Sequence, residues 1–347
     1  YVKEAPSTLH LMLPEAKLGS KDEDEKIRKI QSTMKNYVDN HLLKTYEKSF
    51  IYVERTLQNG KIRRGVVGVI DLEEYSYTPE DEAKIRSTEK TVMERITTRM
   101  KIRYQAPIEL PNVILLCDDW KNELLELITQ NKKNMLQLYE FDLMQKGGHI
   151  AGWLVDGELK EQFIKRLQQY EQMMAEKYKD LSEHPMYYAV GDGNHSLATA
   201  KACYEKLKQN HQWKHVENHL ARYALVELEN LHDDSQQFEP IHRVITGTDP
   251  QELVEALKEQ CCGQNGQEIR CYYGNKEEVL HLNLHEHQLA VDKVQTFLDK
   301  YLIENSGVVD YIHGEDVLKK LAKQENAVGI ELPAMEKDQL FPSVMTD

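Results

Sequence analysis

An α+β fold class is predicted from two features of the sequence. Apolar runs of strand length and amphipathic stretches of helical period both recur along the chain, yet they do not follow the strict strand–helix–strand rhythm of a doubly wound sheet. No internal repeat or low-complexity linker interrupts them. With 347 residues, 40% of them hydrophobic, the chain can fill one large core or two modest ones. A boundary is expected near Gly247, dividing a larger region over 1–246 from a C-terminal α+β lobe over 247–347, with a single compact unit as the alternative.

The elements follow in order. Residues 22–43 open with acids and then place Ile27, Ile30, Met34, Tyr37 and Val38 at helical spacing, which predicts an amphipathic helix. Residues 50–57 alternate, Gln58-Asn59-Gly60 has hairpin-turn chemistry, and 64–72 runs apolar, so a β-hairpin is expected. Segment 80–96 is charged. Residues 112–117 read as a buried strand ending at Asp118-Asp119, followed by a helix over 120–129 and a strand over 135–143. Gly147-Gly148 breaks the chain before a strand over 150–155, and 158–181 carries Phe163, Leu167, Tyr170 and Met174 on one helical face. Beyond a strand at 221–228, helices are expected at 251–259, 291–301 and 314–322. Paired strands are expected at 269–273 and 279–284, and a further strand at 327–332. The stretch 341–347 shows no helical closure, and Tyr1 is not a methionine, so residues are expected to be missing at both ends.

Composition excludes several classes. A formal net charge of -14, with a pI near 5.5, repels a phosphate backbone, and the runs 61–64 and 95–103 are too short and interleaved to form a basic patch. Nucleic acid is therefore not an expected partner. Neither is a membrane, since no apolar run has spanning length and the mean hydropathy is -0.64. Five cysteines, an odd number, fit a reducing cytoplasm better than a disulfide scaffold. The sequence leaves oligomerisation open.

The most informative stretch is 187–200. A short apolar run leads into Gly191-Asp192-Gly193-Asn194-His195-Ser196, and a helix-favouring segment continues to Leu207. A strand–turn–helix of this kind leaves free amides at the helix start, where phosphate is favoured. Gly191 and Gly193 are expected to let a ligand approach the backbone, because no Cβ intervenes. The plain alternative is a helix cap supplied by Asp192 or Asn194.

Residues 191–200 resemble the Asp-Gly-His-His-Arg helix start of the domain-of-unknown-function 1015 family. Other segments match in the same order. They are Arg64-Gly65-Val66-Val67-Gly68-Val69-Ile70 with Glu73-Glu74-Tyr75, Arg86-Ser87-Thr88-Glu89-Lys90-Thr91 with Glu94-Arg95, and Pro240-Ile241-His242-Arg243. Asn194 stands where that family's first histidine is expected, and Ser196 where its arginine is expected. The family in turn resembles the ParB/sulfiredoxin superfamily, some of whose relatives are ATP- or ADP-dependent kinases of free serine.

The resemblance implies a ParB/sulfiredoxin-like core with a mixed sheet and a nucleotide-phosphate pocket. It also implies a Mg²⁺-dependent kinase or phosphotransferase using ATP or ADP on a small hydroxylated metabolite, with a non-catalytic nucleotide-binding regulator as the alternative. Phosphoryl transfer needs cations on the phosphates and a positioned nucleophile. Glu89 is the candidate base. Asp192 would hold Mg²⁺ or orient the acceptor, with His195 as the third catalytic candidate. Gly191, Gly193, Asn194 and Ser196 are the candidate phosphate cradle, with Arg86, Thr91, Arg95, His242 and Arg243 around it.

Overall fold

A computed structural model describes residues 6–78, 81–88, 91, 93–110, 112–210 and 215–346; the side chains of residues 15, 93–95, 264 and 265 are also outside the description. The chain forms two compact units, Tyr1–Gln236 and Gln237–Asp347. Both mix helices and strands, so the α+β class holds.

The first unit begins with α1 (Glu23–Asp39), whose Ile30, Met34 and Tyr37 pack with Leu11 in a small core of their own. Next come β1 (Phe50–Thr56) and β2 (Ile62–Asp71), which form the expected hairpin with Val53 opposite Gly65. Gly60, at φ 79°, supplies the left-handed residue of that turn. Two short strands follow, β3 (Tyr75–Ser76) and β4 (Ile85–Ser87). The charged stretch after them becomes α2 (Met93–Arg103), a helix that periodicity alone did not identify.

β5 (Ile114–Cys117) leads to α3 (Glu123–Asn131), which starts later than expected because Asp119 accepts a hydrogen bond from the Leu124 amide at 2.8 Å. The remaining elements are β6 (Gln137–Asp142), β7 (His149–Val155), α4 (Gly157–Lys177), β8 (Tyr188–Asp192), α5 (Asn194–Gln209) and β9 (Tyr223–Asn230).

All nine strands join one mixed sheet in the order β3-β4-β8-β5-β9-β2-β1-β7-β6. Parallel pairs (β3 with β4, β4 with β8, β5 with β9) cluster at one end of it. α3 and α4 cover one face. Tyr52 meets Thr129 through their hydroxyls at 2.9 Å, and the rings of Phe50 and Phe163 lie edge to face at 5.4 Å. On β9, Glu229 is wholly buried beside Glu227, and its carboxylate lies 2.9 Å from Arg63 Nε.

The second unit holds β10 (Ile241–Thr246), α6 (Pro250–Cys261), β11 (Cys262–Tyr273), β12 (Lys276–Leu282), α7 (Ala290–Glu304), β13 (Val308–His313), α8 (Glu315–Leu321), β14 (Ala327–Glu331) and α9 (Leu340–Thr346). Its sheet runs β12-β11-β14-β10-β13. Leu253, Leu257, Phe297, Leu298, Val328 and Ile330 fill its core. Two expectations need correcting. β10 pairs with β13 and β14, so a boundary after 246 would cut a strand from its own sheet. The terminal stretch also closes as a helix, led in by a capping box between Glu336 and Gln339.

Candidate functional site

β4 and β8 run parallel, with Ser87 opposite Val190, so the chain leaves both strands at the same edge of the sheet. Carboxyl ends of parallel strands are where ligands collect in such sheets. Thr88 and Asn194 are then direct neighbours. The Thr88 amide donates to Asn194 Oδ1 at 3.3 Å, and the Thr88 hydroxyl donates to the Val190 carbonyl at 2.7 Å. Two segments about a hundred residues apart in sequence thus meet at this edge. Glu89 lies outside the described residues, as does the side chain of Arg95. Thr91 Oγ1 is buried without a hydrogen-bond partner among the described residues.

A polar cavity of 260 Å³ opens at the start of α5, lined by Arg99, Asn112 and residues 191–196. Its polar groups come from three elements. Arg99 projects from α2, Asn112 precedes β5, and the turn carries Asp192, Asn194, His195 and Ser196. Asn112 Nδ2 donates to Ser196 Oγ at 2.9 Å, tying the first turn of α5 to the neighbouring strand.

Neither Asp192 nor Asn194 caps α5. The N-cap residue is Gly193, which has no side chain to offer, and Asp192 Oδ1 instead accepts from the Gly193 amide at 2.7 Å. The first-turn amides of a helix have no carbonyl partner within it and carry the positive end of its dipole.

The two glycines are required for a reason other than ligand approach. Gly193 has φ 83°, and a Cβ there would lie 2.6 Å from the Asn112 carbonyl oxygen. A Cβ on Gly191 would lie 2.7 Å from Leu116 Cγ. Both glycines let β8 and α5 close onto the chain of β5.

Three residues expected around the phosphate are engaged elsewhere. Arg86 is only 7% exposed, and its guanidinium donates to the Ala83 carbonyl at 2.9 Å and the His184 carbonyl at 2.6 Å. Burial holds its pKa below the usual arginine value. It braces together the chain segments that lead into β4 and β8. Arg243 stands in the second unit, bound to Gln295 Oε1 at 2.8 Å and the Ile241 carbonyl at 2.6 Å, and stacked 4.5 Å from the Tyr311 ring. His242 Nδ1 accepts from the Leu332 amide at 3.1 Å, and burial depresses its pKa. Both serve the second unit's own sheet.

Arg99 is the cation that sequence reasoning missed. It follows Arg95 by four residues and precedes Arg103 by four, so a helical reading of 95–103 would have put the three on one stripe. Asn112 had no comparable signal.

The fold and site therefore define a mixed α+β protein with a polar cavity at the turn between a parallel strand pair and a helix. The chain belongs to the family described as "Protein of unknown function (DUF1015)", whose model matches residues 1–301. Comparisons with curated proteins and with solved structures return no match.

Proposed function

We propose that the α5 turn binds the phosphate end of a nucleotide, ATP or ADP, and that the protein is a Mg²⁺-dependent phosphotransferase acting on a small hydroxylated metabolite. The supporting observation is the cavity itself, which places the Arg99 guanidinium, the uncapped start of α5 and the Asp192 carboxylate around one space. Arginine and helix amides attract phosphate, whereas a carboxylate repels it. A site holding both fits a phosphate that arrives with a divalent cation.

Asp192 suits that cation. It is exposed, one of its oxygens is held by the Gly193 amide, and the other carries no hydrogen bond among the described residues. Mg²⁺ is commonly held by one or two carboxylates together with substrate phosphates. When bound, it would neutralise charge on the phosphate oxygens. Arg99, Asn194, His195 and Ser196 would orient those oxygens, and Glu89 would take the proton of the acceptor hydroxyl. Membership of the ParB/sulfiredoxin-like group and a cytoplasmic setting belong to the same reading. Among the described residues no helix is long and apolar enough to cross a membrane.

The deciding experiment is calorimetric titration with ATP and ADP, with and without Mg²⁺, followed by nucleotide turnover in a pool of small alcohols and hydroxy amino acids. Saturable Mg²⁺-dependent binding with acceptor-dependent turnover is expected. Binding without turnover points to a nucleotide-binding regulator, and no binding removes the reading.

A further inference from the structure

β5 runs antiparallel to β8 but parallel to β9, so the carboxyl ends of the β5–β9 pair lie at the opposite edge of the sheet from the α5 turn. β5 has 4 residues, which separates its two ends by about 10 Å. A second polar cavity, of 460 Å³, opens at this far edge. That volume suits a small-molecule ligand.

The cavity rests on a buried side-chain network. Asp118, directly after β5, is 1% exposed. Its Oδ2 accepts from Lys177 Nζ at 2.5 Å and from the Tyr178 hydroxyl at 2.6 Å, and His232 Nε2 lies 2.6 Å from its Oδ1. Burial alone would raise the Asp118 carboxyl, but these three hydrogen bonds more than offset it and hold the group below its ordinary pKa. Asp118 is therefore a carboxylate that can only accept, so His232 Nε2 carries the proton. Nδ1, the other ring nitrogen, has no hydrogen-bond partner among the described residues.

Beside His232 the wall presents Trp120, 43% exposed, with Lys177 Nζ 4.3 Å from its ring centroid. Asn122 holds a left-handed backbone at φ 53° and accepts from Asn230 Nδ2 at 3.2 Å. The lining charges balance, Lys61 and Arg64 against Asp233 and Asp234, and Arg64 pairs with Asp233 at 3.4 Å. Such a wall favours neither an anion nor a cation. It offers hydrogen-bonding groups of both kinds and one indole face, the combination that suits a ring bearing several hydroxyls.

We infer that this cavity is a second ligand site, distinct from the α5 turn. It takes a small uncharged polyhydroxylated ring compound, a monosaccharide or cyclitol, which lies against Trp120 and hydrogen-bonds through one hydroxyl to His232 Nδ1. The test titrates the full chain with D-glucose, D-ribose and myo-inositol, each by calorimetry and by tryptophan fluorescence. Saturable binding of at least one is expected, abolished by Trp120→Ala and weakened about tenfold or more by His232→Phe. In His232→Phe the Asp118 carboxylate keeps Lys177 and Tyr178, and Trp120 is a half-exposed side chain, so both variants should retain the wild-type circular dichroism, with His232→Phe melting several degrees lower for the hydrogen bond that Asp118 Oδ1 loses. Wild-type protein that binds none of the three overturns the inference. So does a His232→Phe variant that binds equally well, or competition between the sugar and inorganic phosphate, which would place both at one site.

Discussion

Gly193 and Asn112 approach so closely that a Cβ on the glycine would lie 2.6 Å from the asparagine's carbonyl oxygen. Because Gly193 also has φ 83°, Gly193→Ala combines a left-handed penalty with a backbone clash, together about 2–5 kcal/mol. The Tm should fall by several degrees. Gly193→Asn separates the two effects, since asparagine tolerates the left-handed region but still carries a Cβ. It should be nearly as damaging as alanine, and a wild-type Tm for it would show that the contact with Asn112 does not matter.

Arg99 and Arg86 should behave oppositely. Arg99→Gln should weaken phosphate or nucleotide affinity about tenfold or more in calorimetry, with little change in melting. Arg86→Lys should leave affinity unchanged and lower the Tm, because lysine cannot serve the Ala83 and His184 carbonyls together. The reverse pattern would move the clamp from α2 to β4.

Glu89→Gln keeps shape and removes charge and basicity. With a general base at this position, turnover should drop about a hundredfold or more while nucleotide affinity stays constant. A variant with wild-type turnover removes Glu89 from the mechanism and leaves the α5 cavity standing.

Glu229 gives a pH signature that does not depend on function. Burial, joined by the like charge of Glu227 and opposed by Arg63, pushes its carboxyl up to about 8. An acid whose pKa is higher in the folded than in the unfolded chain stabilises fully below the unfolded value, and that stability is lost as pH rises through the folded value. Wild-type Tm should therefore decline between about pH 5 and about pH 9, and Glu229→Gln should flatten the decline. Arg63 retains Glu227 at 3.8 Å in that variant. A variant that melts below wild type at the alkaline end would contradict this account.

Much of the architecture was legible along the chain. The β1–β2 hairpin was readable from its Asn-Gly turn, α4 from the spacing of Phe163, Tyr170 and Met174, and the β8-turn-α5 unit from its two glycines. Each of these signals is local. α2 was missed because charged residues interrupt its pattern, and α9 because its signal is a short capping box ahead of it.

The sequence by itself determined the β1–β2 hairpin, α4 and the β8-turn-α5 unit with the polar residues of its turn, because spacing and turn chemistry act over a few residues. Tertiary structure alone decided which arginine lines the cavity at that turn. Arg86 was among the arginines singled out in sequence, but the pairing of β4 with β8 brings the His184 carbonyl within 2.6 Å of Arg86, while α2 carries Arg99 to the cavity. The same holds for Asp118 and His232, joined at 2.6 Å across 114 positions by the parallel pairing of β5 and β9. Hydrogen bonds and ion pairs form between groups that are close in space, and that closeness is set by strand pairing over long separations, which no local pattern records.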